Sequence, residues 1–337
     1  MLLSICIPNY NRSVLLANCL ESIYQSKLNA VIDFEVCISD NSSTDKVDQI
    51  VESYKKKLKI KFNVNKKNIG VGANILKSVS MASGEFVWII GSDDLILPKT
   101  LSKISKLIKL DKDIDFFFIN SFEVYSNEIL DEDKKFNLKK IPLNCKKRSN
   151  LIKIKKLKFF DLIDPNISWD FLLGLYLSIF RREKWKKHSN IIDQDLIMRP
   201  GTFSTFENTC PHIKIFARAF AKSDAYFENE PLTISMIGER EWSSLYNFIE
   251  IIRIPEILDH FRSNGLTFKK YFICKNYSIR NFISYSLKII FYKGNTGLRY
   301  IKLKKHFFNN LIFPNLYLSF LRFILSIPSK LIPKKKY

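Results

Sequence analysis

The sequence predicts an α/β protein, with a mainly parallel sheet and flanking helices, followed by a helical, basic C-terminal segment. Through about the first 120 residues, short apolar runs alternate with stretches whose apolar residues recur every three or four positions. One of those runs, Phe86-Val87-Trp88-Ile89-Ile90, is apolar without a break, as a strand covered on both faces is. The charge is also unevenly placed. The chain of 337 residues carries a net +21, and after residue 250 seventeen Lys and Arg face only Glu256 and Asp259. A hydrophobic content of 46% excludes a disordered basic tail, while the charge favours anionic partners: nucleic acid, acidic lipid or phosphorylated substrates.

The elements follow in order. Leu2 to Pro8 reads as a strand ending in the turn Pro8-Asn9-Tyr10-Asn11. From Ser13, the residues Leu16, Cys19, Leu20, Ile23 and Tyr24 recur at helical spacing. Phe34 to Ser39 repeats the design, followed by Asp40-Asn41-Ser42-Ser43-Thr44-Asp45 and a helix carrying Val47, Ile50, Val51 and Tyr54. Ser43 or Thr44 is expected to cap that helix. Lys59 to Val64 alternates polar and apolar residues, as an edge strand does, and after Asn68-Ile69-Gly70 a helix bears Ile75, Leu76, Val79 and Ala82. Phe86 to Ile90 then ends in Gly91-Ser92-Asp93-Asp94, two adjacent carboxylates at the C-terminal edge of a buried strand. In open α/β sheets ligands bind at that edge, and paired acidic oxygens suit a hard divalent cation carrying phosphates. A solvated turn is the bland alternative for the same pair.

Leu101, Ile104, Leu107 and Ile108 mark a further helix, and Phe116 to Ile119 a strand. Residues 125 to 158 are lysine-rich and weakly periodic, and are expected to form a loop or insertion. Residues 204 to 221 read as helical and Leu232 to Met236 as a strand. Six scattered cysteines lack metal-ligand spacing and read as reduced thiols of a cytoplasmic protein, and no secretion signal opens the chain. From about 245 the chain is helical, aromatic and basic. Phe307 to Ile327 is apolar but interrupted by Asn309, Asn310, Pro314, Asn315 and Arg322, so the expectation is helices lying on an anionic membrane surface rather than crossing it.

Taken together, Pro8-Asn9-Tyr10-Asn11, Asp40 to Asp45, Asn68-Ile69-Gly70 with Asn74, Ala82-Ser83-Gly84 and Ser92-Asp93-Asp94 resemble, in order and spacing, the motifs of family 2 glycosyltransferases with the GT-A fold. The branch that looks most similar contains abequosyltransferases and other O-antigen sugar transferases. The resemblance implies a GT-A domain over 1–240, with a nucleotide-sugar half at 1–120 and an acceptor half at 121–240, and a membrane-associating region over 241–337. It assigns Pro8, Tyr10, Asn11, Asp40, Asn41, Asn74 and Asp93 to the nucleotide sugar, and Asp94 to Mg²⁺ or Mn²⁺. Asp40 would accept hydrogen bonds from a uracil N–H or a cytosine amine, which makes UDP- or CDP-sugars the expected donors. A turn-forming Asp40 and a surface Asn74 are the alternatives.

The usual Glu-Asp pair that supplies the catalytic base is not recognisable after residue 190. Glu207 and His212, at about the right distance, are the candidates, with Asp193 and Asp195 as further options and surface or structural roles competing. Trp169, Asp170, Arg240 and Trp242 are candidates for acceptor-sugar contact. The implied activity is metal-assisted, inverting transfer to a glycan acceptor, lipid-linked on polyprenyl diphosphate, by an enzyme on the inner face of the plasma membrane. A nucleotidyltransferase is the alternative enzyme, but Asn9-Tyr10-Asn11 makes a poor phosphate cradle. A non-catalytic nucleic-acid-binding protein would use the same charge yet leave the strand-end carboxylates unexplained.

Overall fold

A computed structural model describes residues 1–331 apart from 138–140, 143, 153, 154 and 239–241. It divides into two compact units, Met1–Ser168 with Leu172–Arg240 and Trp169–Phe171 with Glu241–Tyr337.

The first unit opens with β1 (Leu3–Asn9), α1 (Ser13–Lys27), β2 (Phe34–Asp40), α2 (Val47–Lys55), β3 (Ile60–Val64), α3 (Val71–Ser80) and β4 (Phe86–Ile89). Their strands lie in the parallel order β3-β2-β1-β4, with β3 at the edge as its alternating residues predict. In this register Asn9 stands opposite Asp40, so the loops that follow β1 and β2 leave the sheet side by side. The loop into β4 is held from below. Gly84 crosses β1 so closely that a Cβ there would lie 2.7 Å from the Leu3 carbonyl carbon and from the Ser4 nitrogen. Its N–H donates to Ser4 Oγ at 2.8 Å, and Ser4 in turn donates to the buried Glu35 at 2.7 Å. Burial opposes the Glu35 charge, but donors from Ser83, Ser4 and Lys61 outweigh it and hold the carboxyl down at about 2.

Beyond the carboxylates come β5 (Asp94–Ile96), α4 (Thr100–Leu110), β6 (Ile114–Tyr125), α5 (Ser126–Ile129), β7 (Lys146–Lys147) and β8 (Lys156–Lys158). Next are β9 (Ser178–Arg181), α6 (Arg182–His188), α7 (Gln194–Ile197), α8 (Phe206–Thr209), α9 (Pro211–Ala219) and β10 (Asp224–Ile237). The sheet stays mainly parallel but takes in antiparallel strands in this half. β9 runs antiparallel between β4 and β6, and β5 runs antiparallel to β10. The expected strand 232–236 is the end of a longer one, which pairs with β6 through a register shift between Glu228 and Thr233 that takes in Pro231. The expected helical stretch 204–221 is two helices, broken at Cys210, whose φ of −142° precedes Pro211. Part of the insertion 125–158 forms short strands on the edges of β6 and β10.

One side of this half is packed with aromatic rings. Phe116 meets Phe159 at 4.9 Å and Phe216 at 5.0 Å, and Phe180 meets Phe216 at 5.0 Å, all edge to face. α9 supplies Phe216 and is thereby fixed to the sheet.

The second unit is helical: α10 (Tyr246–Phe248), α11 (Ile254–Ser263), α12 (Phe268–Ser278), α13 (Phe282–Phe291), α14 (Leu303–His306) and α15 (Pro314–Leu331). A π-helical turn, Ile249–Arg253, joins α10 to α11 ahead of Pro255, whose missing N–H it accommodates. Glu256 is buried among Arg253, Lys305 and His306, and these partners overcome its desolvation to hold it at about 2. Among the described residues, no helix is long and apolar enough to cross a membrane.

Candidate active site

Asn9 and Asp40, level at the ends of β1 and β2, begin the site. Asn9 Nδ2 donates to Asp40 Oδ1 at 2.9 Å, while Ser43 donates its N–H to Oδ2 at 2.9 Å and its hydroxyl to Oδ1 at 2.6 Å. Asp40 therefore shapes its own turn, and Ser43 is occupied there. The expected capping of α2 by Ser43 or Thr44 does not form: the cap position is Lys46, without a side-chain bond. A carboxylate holds about four acceptor positions, so three protein bonds still leave room for a fourth at Asp40.

The first loop is pinned to the second. Asn11 adopts a left-handed φ of 49°, with its N–H on Ser43 Oγ at 2.8 Å and its Oδ1 accepting from the Thr44 N–H at 2.8 Å. The N–H of Ser13, at the start of α1, donates to Asp45 Oδ2 at 2.7 Å. Pro8 is half-buried and Tyr10 is 37% exposed beside them.

A ladder of asparagines fixes the third loop. Asn41 Nδ2 reaches Asn68 Oδ1 at 2.9 Å, and Asn41 Oδ1 accepts from Ile69 N–H at 2.9 Å and from Asn65. Asn74 was expected to face the nucleotide. Instead its Oδ1 accepts from Ser39 Oγ at 2.7 Å and Asn65 at 3.0 Å, and its amide donates to the carbonyls of Ser39 and Asn9. Buried and fully engaged, it ties α3 to β1 and β2 and holds their loops in place.

The acidic pair closes the row. Gly91 N–H donates to Asp94 Oδ2 at 2.7 Å, and a Cβ on Gly91 would lie 2.5 Å from Asp93 Oδ1 and 3.0 Å from Asp94 Oδ2. Oxygens of both aspartates thus pack against Gly91, which has no room for a side chain. Arg12, missed as a site residue in the sequence, pairs with Asp93 Oδ2 at 2.9 Å. Burial raises the Cys19 thiol, and the charges of Asp94 and Asp93 raise it further, so a neutral thiol lies behind the pair. No group of three or more acidic, His or Cys side chains able to hold a metal occurs among the described residues. The pair fits Mg²⁺ or Mn²⁺ nonetheless, because such a cation needs only one or two protein carboxylates when phosphates complete its shell.

The base candidates sit differently. Glu207 is buried in the first turn of α8 and paired with Lys214. Its carbonyl oxygen would be 3.0 Å from a Cβ on Gly72, so the α8 backbone abuts the start of α3. His212 lies in the aromatic core, 2% exposed, with Nε2 on the Leu173 carbonyl at 3.1 Å and its ring 5.7 Å from that of Phe216. Burial drives its pKa down to about 4, against weaker upward pulls from the Leu173 and Leu172 backbone. It is a neutral structural histidine, closed off from an acceptor hydroxyl. Asp193 caps α7 through the N–H groups of Asp195 and Leu196, and Asp195 is exposed. In the second unit, Trp169 lies 6.0 Å from the Tyr246 ring, Asp170 is buried and Trp242 half-buried. Arg240 lies outside the described residues.

A histidine whose folded pKa is depressed binds its proton more readily when unfolded, so its contribution to stability is complete above about pH 6.5 and is lost as pH falls towards 4. Wild-type stability, followed by urea unfolding, should therefore decline across that window by up to roughly 3 kcal/mol more than in His212→Leu. Parallel pH profiles for the two proteins would contradict the assignment.

Comparison with known proteins relates the arrangement to a family. Residues 4–161 match the family model Glycosyl transferase family 2. Abequosyltransferase RfbV of Salmonella typhimurium is 39% identical over 117 residues, 34% of this chain and 34% of its own. The GalNAc(5)-diNAcBac-PP-undecaprenol beta-1,3-glucosyltransferase of Campylobacter jejuni is 33% identical over 105 residues, 30% of this chain and 33% of its own. The chain thus spans about a third of the length of these two relatives. Among solved structures, S. aureus TarS 1–349 in complex with UDP-GlcNAc superposes with a TM-score of 0.58 at 20% identity, covering 98% of this chain and 82% of that one. That likeness carries the GT-A fold, and residues 4–161, a little under half of the chain, are similar to glycosyl transferase family 2.

Proposed function

We propose that the chain transfers a sugar from a nucleotide diphosphate donor, UDP- or CDP-linked, to a lipid-linked glycan in bacterial surface-polysaccharide assembly of the O-antigen kind, by inverting displacement. The observation that carries this reading is the convergence of an Asp93 and an Asp94 oxygen on Gly91 at the end of a buried strand, in the same row as Asp40. Asp40 would receive the pyrimidine edge, with Pro8 and Tyr10 beside it and Asn11 and Asn41 setting the loops. Asp94 would hold Mg²⁺ or Mn²⁺. When bound, the cation would offset the negative charge that builds on the leaving diphosphate. Glu207, which accepts a hydrogen bond from Lys214, would take the proton of the acceptor hydroxyl.

Calorimetric titration of UDP- and CDP-sugars with and without Mn²⁺ tests the reading. Metal-dependent binding is expected in the wild type and absent in Asp94→Ala at unchanged melting temperature. Glu207→Gln should keep donor binding and lose about a hundredfold or more in turnover. Full metal-dependent binding by Asp94→Ala would remove that residue from the site, and full turnover by Glu207→Gln would remove the base.

The partner surface proposed for residues 241–337 is an anionic bilayer. Phe308, Leu311, Ile312, Tyr317, Phe320 and Leu321 are exposed around α15, next to the exposed Lys302, Lys304 and Lys305. Apolar and cationic side chains interleaved in this way suit a headgroup boundary better than a nucleic acid. Flotation with vesicles should show binding to phosphatidylglycerol-rich membranes and little to phosphatidylcholine. Replacing Lys302 and Lys304 by Glu with Phe308 and Ile312 by Ser should weaken it about tenfold or more. Equal recovery with both lipids, or an unaffected variant, would contradict the surface.

A further inference from the structure

Arg12 holds a position that the site as read so far does not use. It follows the loop of β1, its guanidinium is 2.9 Å from Asp93 Oδ2, and both side chains are only 16% exposed. Its backbone cannot move with its side chain. The residue before is fixed by the Asn11 N–H on Ser43, the residue after by the Ser13 N–H on Asp45, and its own carbonyl by the Leu16 N–H at 2.8 Å. A planar, permanently charged fork is thus mounted on a rigid base beside the acidic pair that packs on Gly91.

Building on the donor-site reading above, we infer that Arg12 binds the donor's diphosphate and that Asp93 is its resting partner, so that a divalent cation reaches the acidic pair only together with donor phosphate. Two electrostatic facts lead there. A guanidinium paired with Asp93 repels a doubly charged ion approaching the acidic pair, and it offsets part of the negative charge that would attract that ion. An incoming diphosphate carries more negative charge than one carboxylate and offers the fork two oxygens, so it competes for Arg12 and frees Asp93. Cation and nucleotide then assist each other's binding, and by linkage the assistance is the same in both directions. Arg12 is in this sense a specificity residue: it makes the empty site refuse metal and the loaded site accept it.

The test is calorimetry with MnCl₂ alone, with UDP or CDP alone, and with both, on wild type, Arg12→Ala and Arg12→Lys, each checked by thermal melting. In the wild type, nucleotide should tighten Mn²⁺ binding about tenfold or more. Arg12→Ala should bind Mn²⁺ alone about tenfold tighter than wild type, bind nucleotide about tenfold more weakly, and show little mutual assistance. Arg12→Lys keeps the charge and loses the fork, so it should stay weak for Mn²⁺ alone while losing part of the nucleotide affinity. Equal Mn²⁺ affinity in Arg12→Ala and wild type, or unchanged nucleotide affinity, overturns the inference while leaving the donor site in place. A wild type that binds neither UDP nor CDP, with or without Mn²⁺, overturns the donor-site reading and this inference with it.

Discussion

The parallel pairing of β1 between β2 and β4 is the constraint on which the rest of the first unit depends. Because Asn9 is level with Asp40, and Cys6 with Ile89 one strand over, three loops leave the same edge of the sheet as neighbours. A one-residue slip would turn every one of these side chains to the opposite face. The hydrogen bonds among Asn9, Asp40, Ser43, Asn11 and Asp45 then turn proximity into fixed geometry, including the left-handed backbone at Asn11. From that rigid edge Arg12 reaches Asp93, and Gly91, lacking a side chain, lets an oxygen of each aspartate close over it.

Much of this was legible in the sequence, for a physical reason. Each of the first four strands is an apolar or alternating run bounded by turn-forming residues, and each helix between them keeps one apolar face, so both periods show without tertiary knowledge. The second half hid itself. β5 has three residues and β9 four, too few for a period to register. The first part of β10 is acidic and interrupted by Pro231, and its strand character comes from pairing with β6 rather than from its own composition.

The site residues divide along the same line. Position in the row was readable for Asp40, Asp93 and Asp94, because a carboxylate just after a buried strand has few places to go. Partnership was not. That Asn74 donates its amide to β1 and β2, that Ser43 serves Asn11 rather than α2, and that His212 Nε2 meets the Leu173 carbonyl are facts of packing between residues 30 or more positions apart. Arg12 had a visible signal, a lone cation immediately behind the first loop. Only the folded chain supplies its carboxylate.

The central claim is that a cation held at Asp94 also binds a nucleotide's diphosphate at this edge of the sheet. Anomalous diffraction at the manganese edge, from crystals soaked in MnCl₂ and UDP, tests it most directly. The account predicts one peak within coordination distance of an Asp94 carboxylate oxygen and of the diphosphate. Ordered UDP with manganese elsewhere, or with both aspartates turned away from it, would contradict the account.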